Sequence, residues 1–320
     1  CGIRCYPSLA DLPHKVEHVI FAVSDQRIEA ALQSAIDHGA AAATIMSSLV
    51  LEDDGDPPLK KRVEKMIADS GILVCGANGM GFFNFRDGVW ACGFDTRTHR
   101  SDGNVVLVSH SGSGMAGIVD VDERINFGLA VSTGQELCVS MDEYVDFALE
   151  QRDTSVIGLF METVRHPERM RRVLQKANDR DVPVVALKVG RTELAARLTV
   201  SHSGAIAGQD AAYDALFDNY GVQRVDDMDE LATALILFDQ PHPVGSGGLV
   251  AIHDSCGERQ LMIDLAETVN VSLTKVSPAT TVELDTLLDP GLVAVNPLDA
   301  WSVGGENADE TMAQCLSALM

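Results

Sequence analysis

One histidine of this sequence stands in a loop whose composition suits phosphoryl chemistry. His202 lies in the run Ser-His-Ser-Gly-Ala-Ile-Ala-Gly at 201–208, and an apolar run at 183–187 predicts a buried strand that ends at Lys188. Ser203 is a suitable N-cap for the helix predicted after it, and a helix start offers unpaired N–H groups and partial positive charge to an anion. A nucleophilic imidazole beside an anion site is what a transient phosphohistidine requires. The tetrapeptide alone also fits an ordinary solvated loop.

Two further stretches favour the phosphoryl interpretation. The same tetrapeptide recurs at 109–112 directly after an apolar strand, and Glu162 ends a third apolar strand at 156–161. Strand and helix patterns alternate from 104 to 190, which predicts a parallel, doubly wound sheet. In a sheet of strand order 2-1-3-4-5 the first, third and fourth strands are neighbours, and ligands bind beyond their carboxyl ends. We therefore expect the 109–112 loop, Glu162 and Lys188 to lie close together at the carboxyl ends of the parallel strands.

These residues resemble a known family. Lys-x-Gly-Arg at 188–191, the His202 loop, Glu162 at its strand end and Ser-x-Ser-Gly at 109–112 are similar to the acyl-CoA synthetases that release a nucleoside diphosphate. That NDP-forming family is related to ADP-forming acetyl-CoA synthetase and to the succinyl-CoA synthetase alpha subunit. The resemblance spans nearly the whole chain. It implies a ligase that activates a carboxylic acid with ATP and CoA through acyl phosphate and a phosphohistidine, releasing ADP and phosphate.

The resemblance also assigns roles to individual residues. It makes His202 the phosphoryl carrier and Glu162 the carboxylate that orients the imidazole through its second ring nitrogen. Two loops of small residues would hold the phosphate oxygens, with contacts from Ser111, Gly112, Ser113, Ser203 and Gly204. His110 stands where relatives usually carry Gln or Arg and is the rival candidate for phosphorylation. It ranks second because its loop lacks the Lys-x-Gly-Arg approach and the Ala-x-Ala-Gly continuation.

The first segment of the chain resembles the second half of a CoA-binding domain. β-α-β-α-β patterns run from 19 to 75, and the first strand of such a domain, with its Gly-rich loop, is expected to be missing. Asn78 matches the family's Gly-Pro-Asn-x-x-Gly motif, although Ala77 replaces the proline, and Ser24 stands where a strand end meets CoA. The resemblance therefore implies CoA contacts at Ser24 and Asn78. Asn78 also fits a left-handed turn position, which asparagine tolerates.

The predicted fold class is α/β, with consecutive doubly wound parallel-sheet domains. Residues 1–99 are predicted to be the C-terminal half of a Rossmann-like CoA-binding domain. Residues 100–242 are predicted to be a flavodoxin-like, succinyl-CoA-synthetase-like domain that carries the phosphohistidine loop. A polar connection at 85–103 separates the two, and a Gly/Pro-rich linker follows the second. Residues 246–320 resemble part of a third α/β domain of the ligase-CoA type, through Asn-Pro-Leu-Asp at 296–299.

Composition narrows the possible partners. The 320 residues carry 47 acidic and 24 basic side chains, a net charge of −23, which opposes binding to nucleic acids or anionic membranes. A site for polyanionic ATP or CoA must then be locally cationic, and the candidates are Lys188, Arg191 and Arg197. Seven scattered cysteines without a C-x-x-C pair indicate reduced thiols of a cytoplasmic protein, and the histidines have no H-E-x-x-H spacing that would predict a metal site.

The partners expected for this chain follow from the resemblance and from what the sequence lacks. It has no Walker A loop and no ATP-grasp pattern, so ATP with its Mg²⁺ is expected to bind mainly to an ATP-grasp domain or subunit outside this chain. The expected assembly is an oligomer that acts on a small carboxylic acid or its acyl-CoA.

Two alternatives stay open. One is a catalytically silent module that binds CoA or acyl-CoA for regulation, and the other is an enzyme that uses the same activation to cleave an activated acid. Retention of His202 and Glu162 favours an enzyme. Cys256 at a helix start could be an activated thiolate, although the role of a small residue at a helix N-terminus suits it better, and Trp301 fits either an acyl pocket or a buried position.

Overall fold

The computed structural model of the chain forms two compact units, Cys1–Pro241 and His242–Met320. It describes residues 2–97, 103–195, 210–240, 248–300 and 307–320. Several predicted residues lie outside the described parts of the chain, namely Arg197, His202, Ser203, Gly204 and Trp301.

The first unit begins with a small parallel sheet of order β1-β2-β3, as the β-α-β-α-β pattern predicts. Helix α1 buries one stripe formed by Ile28, Leu32 and Ala35, residues spaced at i, i+4 and i+7. It ends at Gly39, whose φ of 78° is left-handed and therefore suits glycine. The elements are β1 (His18–Phe21), α1 (Ile28–His38), β2 (Ala42–Ile45), α2 (Leu59–Ser70) and β3 (Leu73–Gly76).

A seven-stranded sheet of order β10-β9-β8-β6-β7-β4-β5 follows in the same unit. Strands β6 to β10 are parallel and have the predicted order 2-1-3-4-5, so this part of the prediction is confirmed. Its strands are β4 (Gly81–Asn84), β5 (Val89–Cys92), β6 (Val105–Ser109), β7 (Phe127–Ser132), β8 (Val156–Met161), β9 (Val184–Lys188) and β10 (Gln223–Val225). Its helices are α3 (Gly112–Val119), α4 (Met141–Glu150), α5 (Pro167–Asp179), α6 (Asp210–Tyr220) and α7 (Met228–Phe238).

An antiparallel hairpin, β4 and β5, extends the sheet edge beside β7. The sequence analysis missed this hairpin, because it predicted a polar connection from residue 85. The hairpin is stabilised by an aromatic cluster around the buried Phe83, whose ring centroid lies 5.3 Å from Phe85 and 6.3 Å from Trp90. Four-residue strands are too short to show a clear alternation in the sequence, and here cross-strand aromatic packing supplies the stability.

Helices cover both faces of the parallel strands. Helices α4, α5 and α6 pack on one face, and α3 and α7 pack on the other. The strands therefore read as continuous apolar runs, and every residue of β6, β7 and β9 is buried. Lys188, the last residue of β9, belongs to this buried set. None of the helices in the described ranges combines the length and the apolar character that a membrane span requires.

The second unit contains a short parallel pair, β11 (Ile252–His253) with β12 (Leu298–Asp299), as expected for part of an α/β domain. Asn296, the first residue of the Asn-Pro-Leu-Asp run, connects three segments of the second unit through hydrogen bonds. Its amide nitrogen donates to the carbonyls of Leu249 and Thr274, both at 2.8 Å, and its side-chain oxygen accepts the Ala251 N–H at 3.0 Å. Cys256, the first residue of α8, is exposed. The helices are α8 (Cys256–Thr268), α9 (Pro278–Leu287) and α10 (Ala308–Leu319).

Candidate active site at the strand ends

The carboxyl ends of β6, β8 and β9 lie side by side. Ser109 of β6 is paired in register with Phe160 of β8, and Met161 of β8 is paired with Lys188 of β9. Backbone bonds continue just beyond the strands, from His110 N–H to the Phe160 carbonyl at 2.9 Å and from Val189 N–H to the Met161 carbonyl at 3.0 Å. The sheet therefore brings together, at the carboxyl ends of its strands, the three features that we expected there: the 109–112 loop, Glu162 and Lys188.

The loop after β6 leads into α3 through an N-cap. The Ser111 hydroxyl accepts the Gly114 N–H at 3.0 Å. The Ser109 hydroxyl donates to the Ser111 carbonyl at 2.7 Å and accepts the Ser111 N–H at 3.1 Å. Within the described residues, the first-turn N–H groups of Gly112 and Ser113 donate to no protein acceptor. These two groups can bind an oxyanion at the positive end of the helix.

Close packing explains why the loop uses glycine. A Cβ atom at Gly112 would lie 2.2 Å from Met80 Cγ, and one at Gly114 would lie 3.2 Å from the Phe160 ring. Neither position has room for a larger side chain unless its neighbours move. The small residues therefore permit the tight approach of this loop to β8 and to the segment before β4.

His110 is buried and uses both ring nitrogens inside the protein. Its Nδ1 accepts the backbone N–H of Glu162 at 2.8 Å, and its Nε2 lies 3.0 Å from Glu136 Oε1. An imidazole that accepts at Nδ1 carries its hydrogen on Nε2, so Nε2 donates to the carboxylate. No ring lone pair is then available to attack phosphorus. This geometry supports the lower rank of His110 as a phosphorylation candidate.

Glu136 was not identified from the sequence. Its carboxylate is buried, accepts the Met141 N–H at 2.7 Å, and pairs with Arg165 Nε at 3.0 Å. Burial acts to raise the pKa of Glu136, but His110, Arg165 and the Met141 N–H together lower it below its ordinary value. One sequence feature could have revealed Glu136. It is a carboxylate four residues beyond the end of β7, and β7 lies beside β6, the strand that leads into the 109–112 loop.

Lys188 is a buried cation at the end of β9, only 2% exposed. Its ammonium donates to the Val189 carbonyl and lies 4.5 Å from the ring centroid of Tyr213 on α6. Burial lowers its pKa most strongly and Arg224 adds to this, whereas Asp210 and Glu162 act in the opposite direction. The Lys188 ammonium therefore lies at the carboxyl end of β9, as predicted, in a position with little access to water.

Arg191 was also predicted as a cation for polyanions, but its guanidinium is engaged elsewhere. It contacts Asp226, and its Nε lies 3.6 Å from Asp210. Asp210 also pairs with Arg224 at 2.7 Å. The positive charge of Arg191 is therefore balanced by neighbouring carboxylates, and Lys188 is the better-placed of these two cations.

The residues predicted for CoA lie at the carboxyl ends of the small sheet. Ser24 follows β1 in an extended conformation, and Asn78 follows β3 with a left-handed φ of 51°. The turn geometry expected as an alternative role of Asn78 is therefore present, and its CoA contact stays a prediction. The loop after β7 contacts this region directly, because Gln135 N–H donates to the Ala77 carbonyl at 2.6 Å. The strand ends that carry Ser24 and Asn78 and those that carry the 109–112 loop and Glu162 thus lie within one unit, linked through the loop after β7.

Comparison with known proteins gives concordant matches. A model of the succinyl-CoA ligase like flavodoxin domain matches residues 102–238. The ADP-forming acetate–CoA ligase of Methanocaldococcus jannaschii is 26% identical over 300 residues, which cover 93% of this chain and 42% of the relative. The alpha subunit of the ADP-forming acetate–CoA ligase II of Pyrococcus furiosus is 27% identical over 303 residues, covering 93% of this chain and 65% of the relative.

A solved structure shares the fold. The dinucleotide forming acetyl-coenzyme A synthetase 1 of Ca. Korarchaeum cryptofilum, in complex with phosphate and ADP, superposes with a TM-score of 0.79 at 23% identity. The superposition covers 97% of this chain and 67% of that structure, and it confirms the α/β class with parallel sheets. The chain spans less than two thirds of the length of the curated relatives named above. Residues 102–238 thus match the succinyl-CoA ligase like flavodoxin domain, and most of the chain is similar in sequence to ADP-forming acetate–CoA ligases.

Proposed function

We propose that the protein containing this chain is an acid–thiol ligase that activates a carboxylic acid with ATP and CoA and releases ADP and phosphate. The observation that carries the proposal is the convergence of an anion-binding helix start, Glu162 and the buried Lys188 at neighbouring strand ends. Such a site can stabilise a phosphoryl group whose charge is redistributed during transfer, because its donors are held in place before the reaction.

His202 is proposed to carry the phosphoryl group between nucleotide and acid. A neutral imidazole nitrogen attacks the γ-phosphorus of ATP, so that an N–P bond forms while the P–O bond breaks and ADP leaves with the electron pair. The carboxylate of the acid then takes the phosphoryl group, which gives an acyl phosphate and frees the imidazole. Finally the CoA thiol attacks the acyl carbon and phosphate leaves.

Glu162 is proposed to accept a hydrogen bond from the second nitrogen of the phosphorylated imidazole. This contact orients the ring and stabilises its positive charge. The N–H groups of Gly112 and Ser113, with Ser111 at the N-cap, are proposed to hold phosphate oxygens, joined by Ser203 and Gly204 of the histidine loop.

CoA is proposed to bind at the strand ends that carry Ser24 and Asn78. The loop after β7 contacts these strand ends and lies beside the loop proposed to hold phosphate. This arrangement suits a reaction in which the CoA thiol meets an acyl phosphate. ATP with Mg²⁺ is proposed to bind an ATP-grasp part, either a separate subunit or another region of a longer protein. A relative that is named as a subunit alpha supports an assembly of more than one chain.

The proposal is tested with the complete protein, its ATP-grasp part included, and γ-³²P-labelled ATP. We expect an acid-labile, base-stable label that His202→Asn removes and His166→Asn, a matched change at the exposed N-cap of α5, leaves in place. A screen of carboxylic acids for CoA-dependent discharge of the label then identifies the substrate. A label that survives His202→Asn would contradict the assignment, and a label that no acid discharges in the presence of CoA would favour a regulatory module.

A further inference from the structure

We propose that His110 is a positioning residue that fixes the backbone of Glu162 at the phosphoryl site. The inference rests on the proposed function, in which the Glu162 carboxylate contacts the phosphorylated imidazole. It assigns His110 a role through Glu162 and not through direct contact with substrate.

The backbone hydrogen-bond ladder between β6 and β8 ends just before Glu162. Its last backbone bond runs from the His110 N–H to the Phe160 carbonyl at 2.9 Å. Beyond it, β6 turns into the loop before α3 and can no longer supply a backbone acceptor to β8. The Nδ1 atom of His110 takes that place, accepting the Glu162 N–H at 2.8 Å. The imidazole therefore extends the ladder by one residue, up to the backbone of Glu162.

Only one tautomer of the His110 ring can accept the Glu162 N–H and also donate to Glu136. Nδ1 must be unprotonated to accept the Glu162 N–H, and the ring hydrogen on Nε2 is then donated to Glu136 Oε1, 3.0 Å away. Both bonds require the same neutral form of the ring. An Nδ1–H ring, or a doubly protonated one, would place a donor against the Glu162 N–H.

Glu136 is held in place beside the His110 ring. Its side chain is 1% exposed and that of His110 is 4% exposed, so water does not replace the bond between them. Glu136 is itself fixed by the Met141 N–H at the start of α4 and by Arg165 on the loop after β8. The charged and titratable groups around the ring are thus Glu136, Arg165 and Glu162, and the Glu162 N–H, which requires an acceptor at Nδ1, selects the Nε2–H tautomer.

The test uses two substitutions at one position. In His110→Asn, the side-chain oxygen stands close to where Nδ1 stood and can accept the Glu162 N–H. His110→Leu has a similar volume and no acceptor. We expect His110→Leu to slow formation of the His202 label by about 10- to 100-fold at saturating ATP, with little change in the ATP concentration for half-maximal rate. We expect His110→Asn to restore the rate to within about threefold of the natural protein.

A double substitution separates positioning from general structural damage. If His110 acts through Glu162, then His110→Leu together with Glu162→Gln should label no more slowly than Glu162→Gln alone. Fully additive losses would overturn the proposal, and so would equal losses in His110→Asn and His110→Leu.

Nuclear magnetic resonance tests the geometry without any assay of activity. We expect the ¹⁵N shifts of His110 to report the neutral Nε2–H tautomer, and the Glu162 amide to exchange with deuterium faster in His110→Leu than in His110→Asn. An Nδ1–H tautomer, or no difference in exchange, would overturn the positioning role. Absence of any label in the natural protein would instead contradict the proposed function, and the two failures are therefore distinguishable.

Discussion

The ammonium group of Lys188 lies 4.5 Å from the ring centroid of Tyr213, and the Tyr213 hydroxyl accepts the N–H of Val164 at 3.2 Å. One aromatic ring thus connects the end of β9 with the loop that follows β8. The ring face attracts the cation, but this attraction is weaker than a buried ion pair. A buried ammonium that rests on a ring and one carbonyl is suited to meet an anion that arrives later.

Lys188→Met keeps the length of the side chain and removes its charge. Because burial of the ammonium has a desolvation cost, we expect the melting temperature of this variant to equal or exceed that of the natural protein. We also expect formation of the His202 label to slow by at least about tenfold, since one charge-assisted contact to the phosphoryl group is lost. Lys176→Met, a change in an ion pair on α5 with Asp146 and Glu150, is the control and should label normally. Normal labelling by Lys188→Met would show that the cation serves packing alone.

Glu162→Gln preserves the shape of the side chain and removes its negative charge. A charge-assisted hydrogen bond is worth roughly 1.5–3 kcal/mol, so phosphorylation should slow, or the phosphoryl group be lost faster, by about 10- to 150-fold. Rapid-quench labelling measures both rates. Glu168→Gln, at an exposed position on α5, should leave them unchanged. Equal rates in the two variants would remove Glu162 from the mechanism.

The lowered pKa of Glu136 predicts how stability depends on pH. Its pKa is lower in the folded protein than the ordinary value of 4.5, so the folded state binds fewer protons at this group than the unfolded state does. Its contribution is therefore fully present above pH 4.5 and is lost as pH falls through the folded pKa. Urea unfolding of the natural protein and of Glu136→Gln from about pH 7 to about pH 3.5 should show a difference in unfolding free energy that shrinks below pH 4.5. A constant difference would mean that the carboxylate is not ionised in the fold.

The buried thiol of Cys75 should resist alkylation. Burial raises its pKa to about 11, and its Sγ lies 3.6 Å from the Ser132 carbonyl, whereas Cys5 and Cys256 are exposed. Because the thiolate is the reactive form, iodoacetamide near neutral pH should modify Cys5 and Cys256 and leave Cys75 intact until the protein unfolds. Peptide mass spectrometry reads each site. Modification of Cys75 as fast as Cys256 would show that this part of the sheet opens readily.

Long buried strands were the part of the fold that the sequence predicted well. The apolar runs that end at Ser109, Glu162 and Lys188 are bounded by helical patterns, and a parallel sheet with that alternation has few possible strand orders. The β4–β5 hairpin was missed because its stability comes from contacts of Phe83 with Phe85 and Trp90, which four-residue strands do not reveal.

The sequence predicted the position of a residue that directly follows a strand, but it did not predict contacts between residues that are far apart in the sequence. Glu136 meets His110 across 26 residues, and Arg191 meets Asp226 across 35. Neither separation leaves a pattern in the sequence, since the contact is made by neighbouring loops at one edge of the sheet. The sequence therefore identified Glu162 as a strand-end carboxylate and His110 as a nearby candidate, but not the hydrogen bond between the Glu162 N–H and the His110 ring.

The contact between the loop after β3 and the loop after β7 has a thermodynamic consequence. Besides the bond from Gln135 to Ala77, Leu137 N–H donates to the Gly76 carbonyl at 2.9 Å, and the Gln135 amide donates to the Ser48 carbonyl at 2.9 Å. A Cβ at Gly134 would lie 2.1 Å from the Ala77 oxygen, so the two backbones are in close contact. A ligand that orders one loop can therefore change the free energy of the other loop through this contact. For CoA and phosphate bound as proposed, reciprocity makes the factor by which CoA changes phosphate affinity equal to the factor by which phosphate changes CoA affinity.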